Sequence, residues 1–150
     1  MSNLKLNSIF KTVCIASDHA GFNLKEDIKN HLVDNKVSIF DIGPYTNKSV
    51  DYPDYAKKLG NRIKLKKSDV GILVCGSGIG MAITANKIKT IRAAVCYNLR
   101  STRLSRQHNN ANIISLGSRL ISKKLSLKLV DVFLNTKFEG GRHLRRIKKI

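Results

Sequence analysis

Five short runs of aliphatic and β-branched residues recur along the chain, and a helix-forming stretch separates each from the next. The runs are TVCIAS (12–17), VSIFDIG (37–43), DVGILVCG (69–76), IRAAVCY (91–97) and NIISLG (112–117). Runs that are apolar nearly throughout, rather than at alternate positions, mark strands covered on both faces. Between them, FNLKEDIKNHLVDN (22–35) spaces Leu24, Ile28 and Leu32 at i, i+4 and i+8, one apolar helix face. DYPDYAKKLGNRIK (51–64) opens with Asp51 and has Pro53 where a first helical turn tolerates proline. IGMAITANKI (79–88), LRSTRLSRQH (99–108) and KKLSLKLVDVFLN (123–135) supply three further helices. Strand–helix alternation of this kind predicts an α/β fold, a three-layer α/β/α sandwich around a Rossmann-like parallel sheet of about five strands.

At 150 residues, 42% of them hydrophobic, the chain suits one domain over 1–150, with an N-terminal extension at 1–10 and a basic tail at 136–150. No apolar run approaches the ~20 residues of a membrane span. The N-terminus lacks the apolar core and cleavage site of a signal peptide, so the expected location is cytoplasmic, with no membrane partner. Three widely spaced cysteines without a CxxC argue against a disulfide framework or a zinc site. Cys14 and Cys96 sit inside apolar runs and read as core residues. The formal charge of +18 attracts polyanions, nucleic acid included. The basic residues are spread out without interleaved aromatics, which fits lysine-rich solvated faces better than a nucleic-acid groove. Only the tail, GGRHLRRIKKI, concentrates the charge.

In open parallel sheets ligands bind beyond the carboxyl ends of the strands. Strand one ends in SDHAG, strand three in CGSGIG and strand five in GSR, while the helix before strand five ends in RQHNN. CGSGIG is a turn of small residues opening a helix, and its free N–H groups suit a phosphate or an oxyanion. It is neither a P-loop nor the dinucleotide fingerprint: no Gly-Lys-Ser/Thr follows, and Met81 occupies the third glycine position. The same glycines would also permit tight strand–helix packing. Cys75, at the lip of this loop, is either a buried strand-end residue or a reactive thiolate favoured by the helix terminus. Asp18 is a good helix cap, and with His19 beside it a ligand contact is the competing role. His108 and Asn109 close a polar helix, where a histidine also suits the dipole. Arg119, Arg142 and Arg146 carry the planar fork that grips phosphate, and the last two share a face if the tail is helical; the alternative is a frayed, solvated tail.

Together SDHAGF (17–22), DYPDYA (51–56), CGSGIG with ANK (75–80, 85–87), RAAVC (92–96), LSRQHNNAN (104–112), GSR (117–119) and EGGRH (139–143) resemble the type B ribose-5-phosphate isomerase family, within the ribose/galactose isomerases. The resemblance runs from about Val13 to Arg146. It implies aldose–ketose isomerisation of a sugar phosphate through a cis-enediolate, as in the non-oxidative pentose phosphate pathway. By the same resemblance Cys75 is the base and Gly76, Ser77, Gly78, Ile79 and Gly80 form the enediolate-holding loop. Ser77 keeps a hydroxyl where many members have threonine. His108 is the ring-opening residue. Asp18 holds sugar hydroxyls or assists proton movement, His19 and Asn109 hold the sugar, and Arg119, Arg142 and Arg146 hold the phosphate. Tyr52 lies in a motif near the site. A second branch of the family places a glutamate just after the loop; Met81 stands there, which puts the chain in the cysteine branch. The resemblance implies no cofactor and no metal, and a homodimer or homotetramer whose sites are shared, with His108 and Asn109 serving a neighbour's Cys75.

Two alternatives stand beside ribose 5-phosphate isomerisation. One keeps the chemistry on a hexose 6-phosphate such as allose or galactose 6-phosphate. The other is a basic nucleic-acid-binding protein, whose signature is steep salt dependence against a short duplex. The latter gives no reason for Cys75, Asp18 and His108 to sit at strand ends.

Overall fold

The computed structural model describes residues 6–150; Met1–Lys5, the first half of the expected extension, lie outside the described residues. Along the chain run β1 (Val13–Ser17), α1 (Phe22–Asp34), β2 (Ile39–Gly43), α2 (Tyr52–Lys64), β3 (Val70–Cys75), α3 (Ile79–Ala85), β4 (Ala93–Val95), α4 (Leu99–Asn109), β5 (Ile113–Gly117), α5 (Lys123–Asn135) and α6 (Arg142–Ile147). The strands form one five-stranded sheet in the order β2-β1-β3-β5-β4. Every neighbouring pair is parallel.

Period-two alternation sorts the strand side chains onto two helical layers. Val13, Ile15, Ile72, Val74, Ile114 and Leu116 meet Leu24, Ile28 and Leu32 of α1 and Leu129, Val130 and Phe133 of α5. Cys14, Ala16, Leu73, Cys75 and Ile113 meet Ala56, Leu59 and Ile63 of α2 and Met81 and Ala85 of α3. The Cys75 side chain therefore faces the α2–α3 layer. The described part of the extension is docked rather than loose. Leu6 is buried, and the Ile9 N–H donates to the Leu134 carbonyl at 3.0 Å.

Two elements are shorter than their sequence signal. The helix expected over 79–88 stops at Ala85, and the strand expected over 91–97 narrows to Ala93–Val95. One residue accounts for both. The Asn86 carboxamide turns out of the helix, accepts from the Ala93 N–H at 2.7 Å and donates to the Ala93 carbonyl at 2.9 Å. It satisfies the open side of an edge strand that pairs only with β5. The basic tail is also partly ordered: Arg142–Ile147 form α6. Among the described residues no helix is long and apolar enough to cross a membrane.

Candidate active site

Three strand ends meet at the carboxyl edge of the sheet. The Asp18 N–H donates to the Val74 carbonyl at 3.1 Å, which extends the β1–β3 ladder by one step and sets Asp18 beside Cys75. Cys75 is in register with Gly117 of β5. Beyond that pair, the Ser118 N–H donates to the Cys75 carbonyl at 2.8 Å and the Arg119 N–H to the Gly76 carbonyl at 3.0 Å. The Ser118 hydroxyl reaches across to the Ala20 carbonyl at 2.8 Å. SDHAG, CGSG and GSR, far apart in sequence, are thus laced together by hydrogen bonds. Asp18 is buried, and its Oδ1 accepts from the Gly21 N–H at 2.9 Å. This is the turn-closing role that competes with ligand binding, and it occupies one of the two carboxylate oxygens. His19 is exposed, and its Nδ1 lies 3.2 Å from both the amide nitrogen and the carbonyl oxygen of Val50, just before α2.

The loop after β3 is clamped on several sides. The Cys75 thiol is 4% exposed, and the Gly78 N–H donates to its Sγ at 3.1 Å. Gly78 has φ +80°, a left-handed conformation, and an added Cβ would fall 2.9 Å from the Leu116 carbonyl carbon. Only glycine fits there without strain. The buried Ser115 hydroxyl donates to the Gly78 carbonyl. The Tyr97 hydroxyl donates to the Ser77 carbonyl at 2.9 Å, and Ser77 Oγ accepts from the Ile79 N–H at 3.2 Å. The N–H groups of Gly76, Ser77 and Gly80 have no acceptor among the described residues. Arg119 lies against the loop, with its Nη1 3.1 Å from where a Gly76 Cβ would stand, and the Tyr52 ring lies against Gly80. The result is a nearly buried thiol and a row of unpaired amide donors on one turn, with the Arg119 guanidinium from beyond β5 laid against it.

His108 is not part of this group. Asn109 ends α4, and Asn112 just beyond it donates its N–H to the Arg92 carbonyl as β5 begins. Cys75 pairs with the far end of β5, so four residue steps at ~3.3 Å put about 13 Å of strand between the two levels. The sequence reading sets Cys75, Asp18 and His108 at strand ends, and the structure divides them: Asp18 and Cys75 lie at the carboxyl edge, His108 at the other. A parallel strand followed by a returning helix carries His108 and Asn109 to the amino edge. Arg142 and Arg146 are there too, exposed on α6, because the Glu139 N–H donates to the Gln107 carbonyl at 3.1 Å and pins the tail to the end of α4.

That edge carries a cluster of its own. The His108 and His143 rings stack with centroids 4.2 Å apart and planes 12° from parallel. Glu139 Oε2 lies 3.5 Å from His143 Nε2 and 3.9 Å from His108 Nε2. Burial, reinforced by the neighbouring His108 and Arg142 and opposed by Glu139, pushes the His143 imidazole below its usual pKa. The sequence suggested no metal cluster, yet these three residues bring ligand-type atoms within 4.8 Å of one another. Their pose does not suit one ion, since imidazole lone pairs lie in the ring plane and a single ion cannot lie in two planes that are stacked and nearly parallel. Beside Asn109 opens a cavity of about 400 Å³, lined also by Asn86, Arg92, Ser105 and Ile150 and by none of Asp18, Cys75 or Arg119.

Residues 13–150 match the Ribose/Galactose Isomerase family. The chain belongs to that family. It is 41% identical over 140 residues to the ribose-5-phosphate isomerase B of Escherichia coli K12, covering 93% of this chain and 94% of the relative. A ribose 5-phosphate isomerase crystal structure from Thermotoga maritima superimposes with a TM-score of 0.90 at 52% identity, covering 92% of this chain and 95% of that one. Ribose-5-phosphate isomerase B from Mycoplasma genitalium, solved with bound ribulose 5-phosphate, gives 0.88 at 42% identity, covering 92% of each. Among the residues of this family member that sequence reasoning did not single out are Ser115, Tyr97, Glu139 and His143. Ser115 lies inside a strand whose pattern reads only as core. Glu139 and His143 fall in a motif that carried the resemblance, but nothing local marks them as partners of His108.

Proposed function

We propose that this family member interconverts D-ribose 5-phosphate and D-ribulose 5-phosphate. The observation that carries the reading is the joining, on one turn, of the Cys75 thiol to the unpaired amides of Gly76, Ser77 and Gly80. Cys75 as thiolate takes the proton from C2 of the open aldose, and the C2–H electron pair becomes the C1=C2 double bond. The carbonyl pair moves onto O1, giving the cis-enediolate. The loop amides hold the developing oxyanion, a preorganised arrangement that costs no reorganisation during reaction. The O2 proton passes to O1, the O2–H electron pair forms the C2=O carbonyl, and Cys75 returns its proton to C1 as the C1=C2 bond is lost, giving the ketose. Base and oxyanion donors must reach adjacent carbons, and residues on a single turn meet that requirement. The Ser77 hydroxyl, Asp18, His19 and Asn109 orient the sugar hydroxyls, and Arg119, Arg142 and Arg146 take the phosphate. The reaction is an internal transfer, balanced by these residues, and calls for no cofactor.

Ring opening falls to His108. Its imidazolium gives a proton to the ring oxygen as the C1–O4 bond breaks, then takes the C1 hydroxyl proton as the carbonyl forms. Since His108 and Cys75 stand at opposite edges of one sheet, the reading uses two copies of the chain, the carboxyl edge of one meeting the amino edge of the other. Next to the Cys75 loop, Ile79, Ile83, Tyr97 and Leu99 are 47%, 58%, 37% and 40% exposed, an apolar surface suited to a second copy. We place the enzyme in the cytoplasm, in the non-oxidative pentose phosphate pathway. The test is conversion of ribose 5-phosphate by the wild type and by Cys75→Ala. A wild-type rate that collapses in the variant supports reaction and base together. Turnover of hexose 6-phosphates but not of the pentose would move the substrate while keeping the chemistry. A variant as active as wild type would remove Cys75 from the mechanism.

A further inference from the structure

The stacked pair at the amino edge contains more than ring opening by His108 alone requires. His143 is 6% exposed, although the surrounding tail is basic and solvent-facing. A buried imidazole needs a reason, and its visible partners are the His108 ring and the Glu139 carboxylate. Glu139 is itself fixed at its backbone, by donation to the Gln107 carbonyl at 3.1 Å, one residue before His108. The same carboxylate oxygen faces Nε2 of both rings, at 3.5 Å and 3.9 Å. At these separations the carboxylate acts on both rings through its charge, without a hydrogen bond to either in this structure, and it favours a proton on the Nε2 side of each and leaves the opposite nitrogen to work. Catalytic hydrogen bonds that are long without substrate commonly tighten when it binds. His143, held flat against His108, removes the ring rotation that would otherwise scramble this choice.

We propose that Glu139 and His143 are positioning residues for the ring-opening step: Glu139 sets the orientation and proton placement of His108, and His143 is the stacked wall that holds it. Neither touches the carbons between which the proton moves. The proposal rests on the isomerase reading and deepens it, because it assigns these two residues to one half of the reaction only.

That division supplies the test. Ribulose 5-phosphate is an open-chain ketose, since its phosphate occupies the hydroxyl a furanose would need. Exchange of its C1 hydrogen with solvent deuterium therefore reports Cys75 and the loop without any ring opening. Ribose 5-phosphate conversion reports both steps. Glu139→Gln should lose at least ~10-fold in kcat/KM for ribose 5-phosphate, a fraction of what a general acid–base contributes. Its C1 exchange should stay within about 2-fold of wild type. Glu139→Asp, which keeps the carboxylate, should recover much of the loss, and His143→Asn should behave like Glu139→Gln. Equal loss of conversion and exchange in Glu139→Gln would mean general damage to the site and overturn the proposal. So would conversion at the wild-type rate. Wild-type protein that neither converts ribose 5-phosphate nor exchanges the C1 hydrogen of ribulose 5-phosphate would instead sink the isomerase reading itself, and the proposal with it.

Discussion

The sharpest consequence of the two-edge arrangement is a complementation experiment. Cys75 and His108 lie at opposite edges of the sheet, about 13 Å of strand apart by the ~3.3 Å rise per residue. If each site takes Cys75 from one copy and His108 from its partner, a dimer of Cys75→Ala with His108→Asn has one site lacking both groups and one site fully intact. Each parent alone has a defect in every site and should fall by ~10²-fold or more, the usual scale for losing a general acid or base. Random pairing of equal amounts makes half the dimers mixed, each with one good site in two, so about a quarter of wild-type activity should return. The two chains are unfolded in urea, mixed, refolded together and assayed on ribose 5-phosphate, with native mass spectrometry confirming that mixed dimers form. A recovery near a quarter, some ~25-fold above either parent, supports the shared site. Mixed dimers present in the expected proportion, with activity no higher than the average of the parents, would refute it: the site would then lie within one chain, and α4 would have to move to bring His108 to the thiol.

The remaining predictions concern the thiols, the loop clamp and a buried ion-pair cluster. Burial pushes the Cys14 thiol up to about 11, and it is 0% exposed, so a thiol reagent at neutral pH should label Cys75 well before Cys14 or Cys96, with mass mapping as the readout. Equal labelling of Cys14 in the folded protein would contradict the packing described. Ser115→Ala removes the donor that fixes the Gly78 carbonyl. It should cost about 1 kcal/mol in urea denaturation and lower kcat more than it raises KM, whereas an unchanged kcat would show the clamp to be purely structural. Lys25 is 0% exposed, with its Nζ 2.8 Å from both Glu26 and Asp41. Burial works to raise the Asp41 carboxyl, but hydrogen bonds from Lys25, Lys29 and the Gly43 amide outweigh it and hold it below the usual carboxylate value. The stability this confers is therefore complete above the unfolded carboxylate pKa of about 3.9 and is lost as pH falls through the lower folded value. Asp41→Asn should destabilise by ~3–5 kcal/mol at pH 7, the range for removing one partner of a buried charge pair, and should flatten the acid limb of urea midpoint against pH. Parallel acid limbs in the two proteins would place the titrating group elsewhere.

The parts of this molecule legible in the sequence are those whose physics is local. Apolar runs announce buried strands wherever they occur, and a thiol beside a glycine turn announces a possible anion site because both belong to one turn. The parts that escaped depend on what tertiary structure delivers. Lys25 lies on what reads as a solvated helix face and is buried only because β2 brings Asp41 to it. Arg106 reads as one more surface cation. It is 3% exposed because its guanidinium bridges the Thr136 and Ala111 carbonyls between Phe10 and Phe133. The desolvation, with Arg92 nearby, lowers its pKa to about 10.

One non-local property was nonetheless implicit in the chain order. In an all-parallel sheet every helix returns the chain to the amino edge, so a residue just after a strand lies at the carboxyl edge and one at the end of a helix lies at the other. By that rule Asp18, His19, Cys75 and Arg119 follow strands and belong together. His108 and Asn109 end α4, and Arg142 and Arg146 follow α5, so they belong together on the opposite side. In this fold the packed sheet lies between the two sets. A single site using both sets in this conformation would draw on two chains, which is what the complementation experiment tests. The separation of the two sets is on this argument a consequence of where parallel strands and returning helices leave their ends.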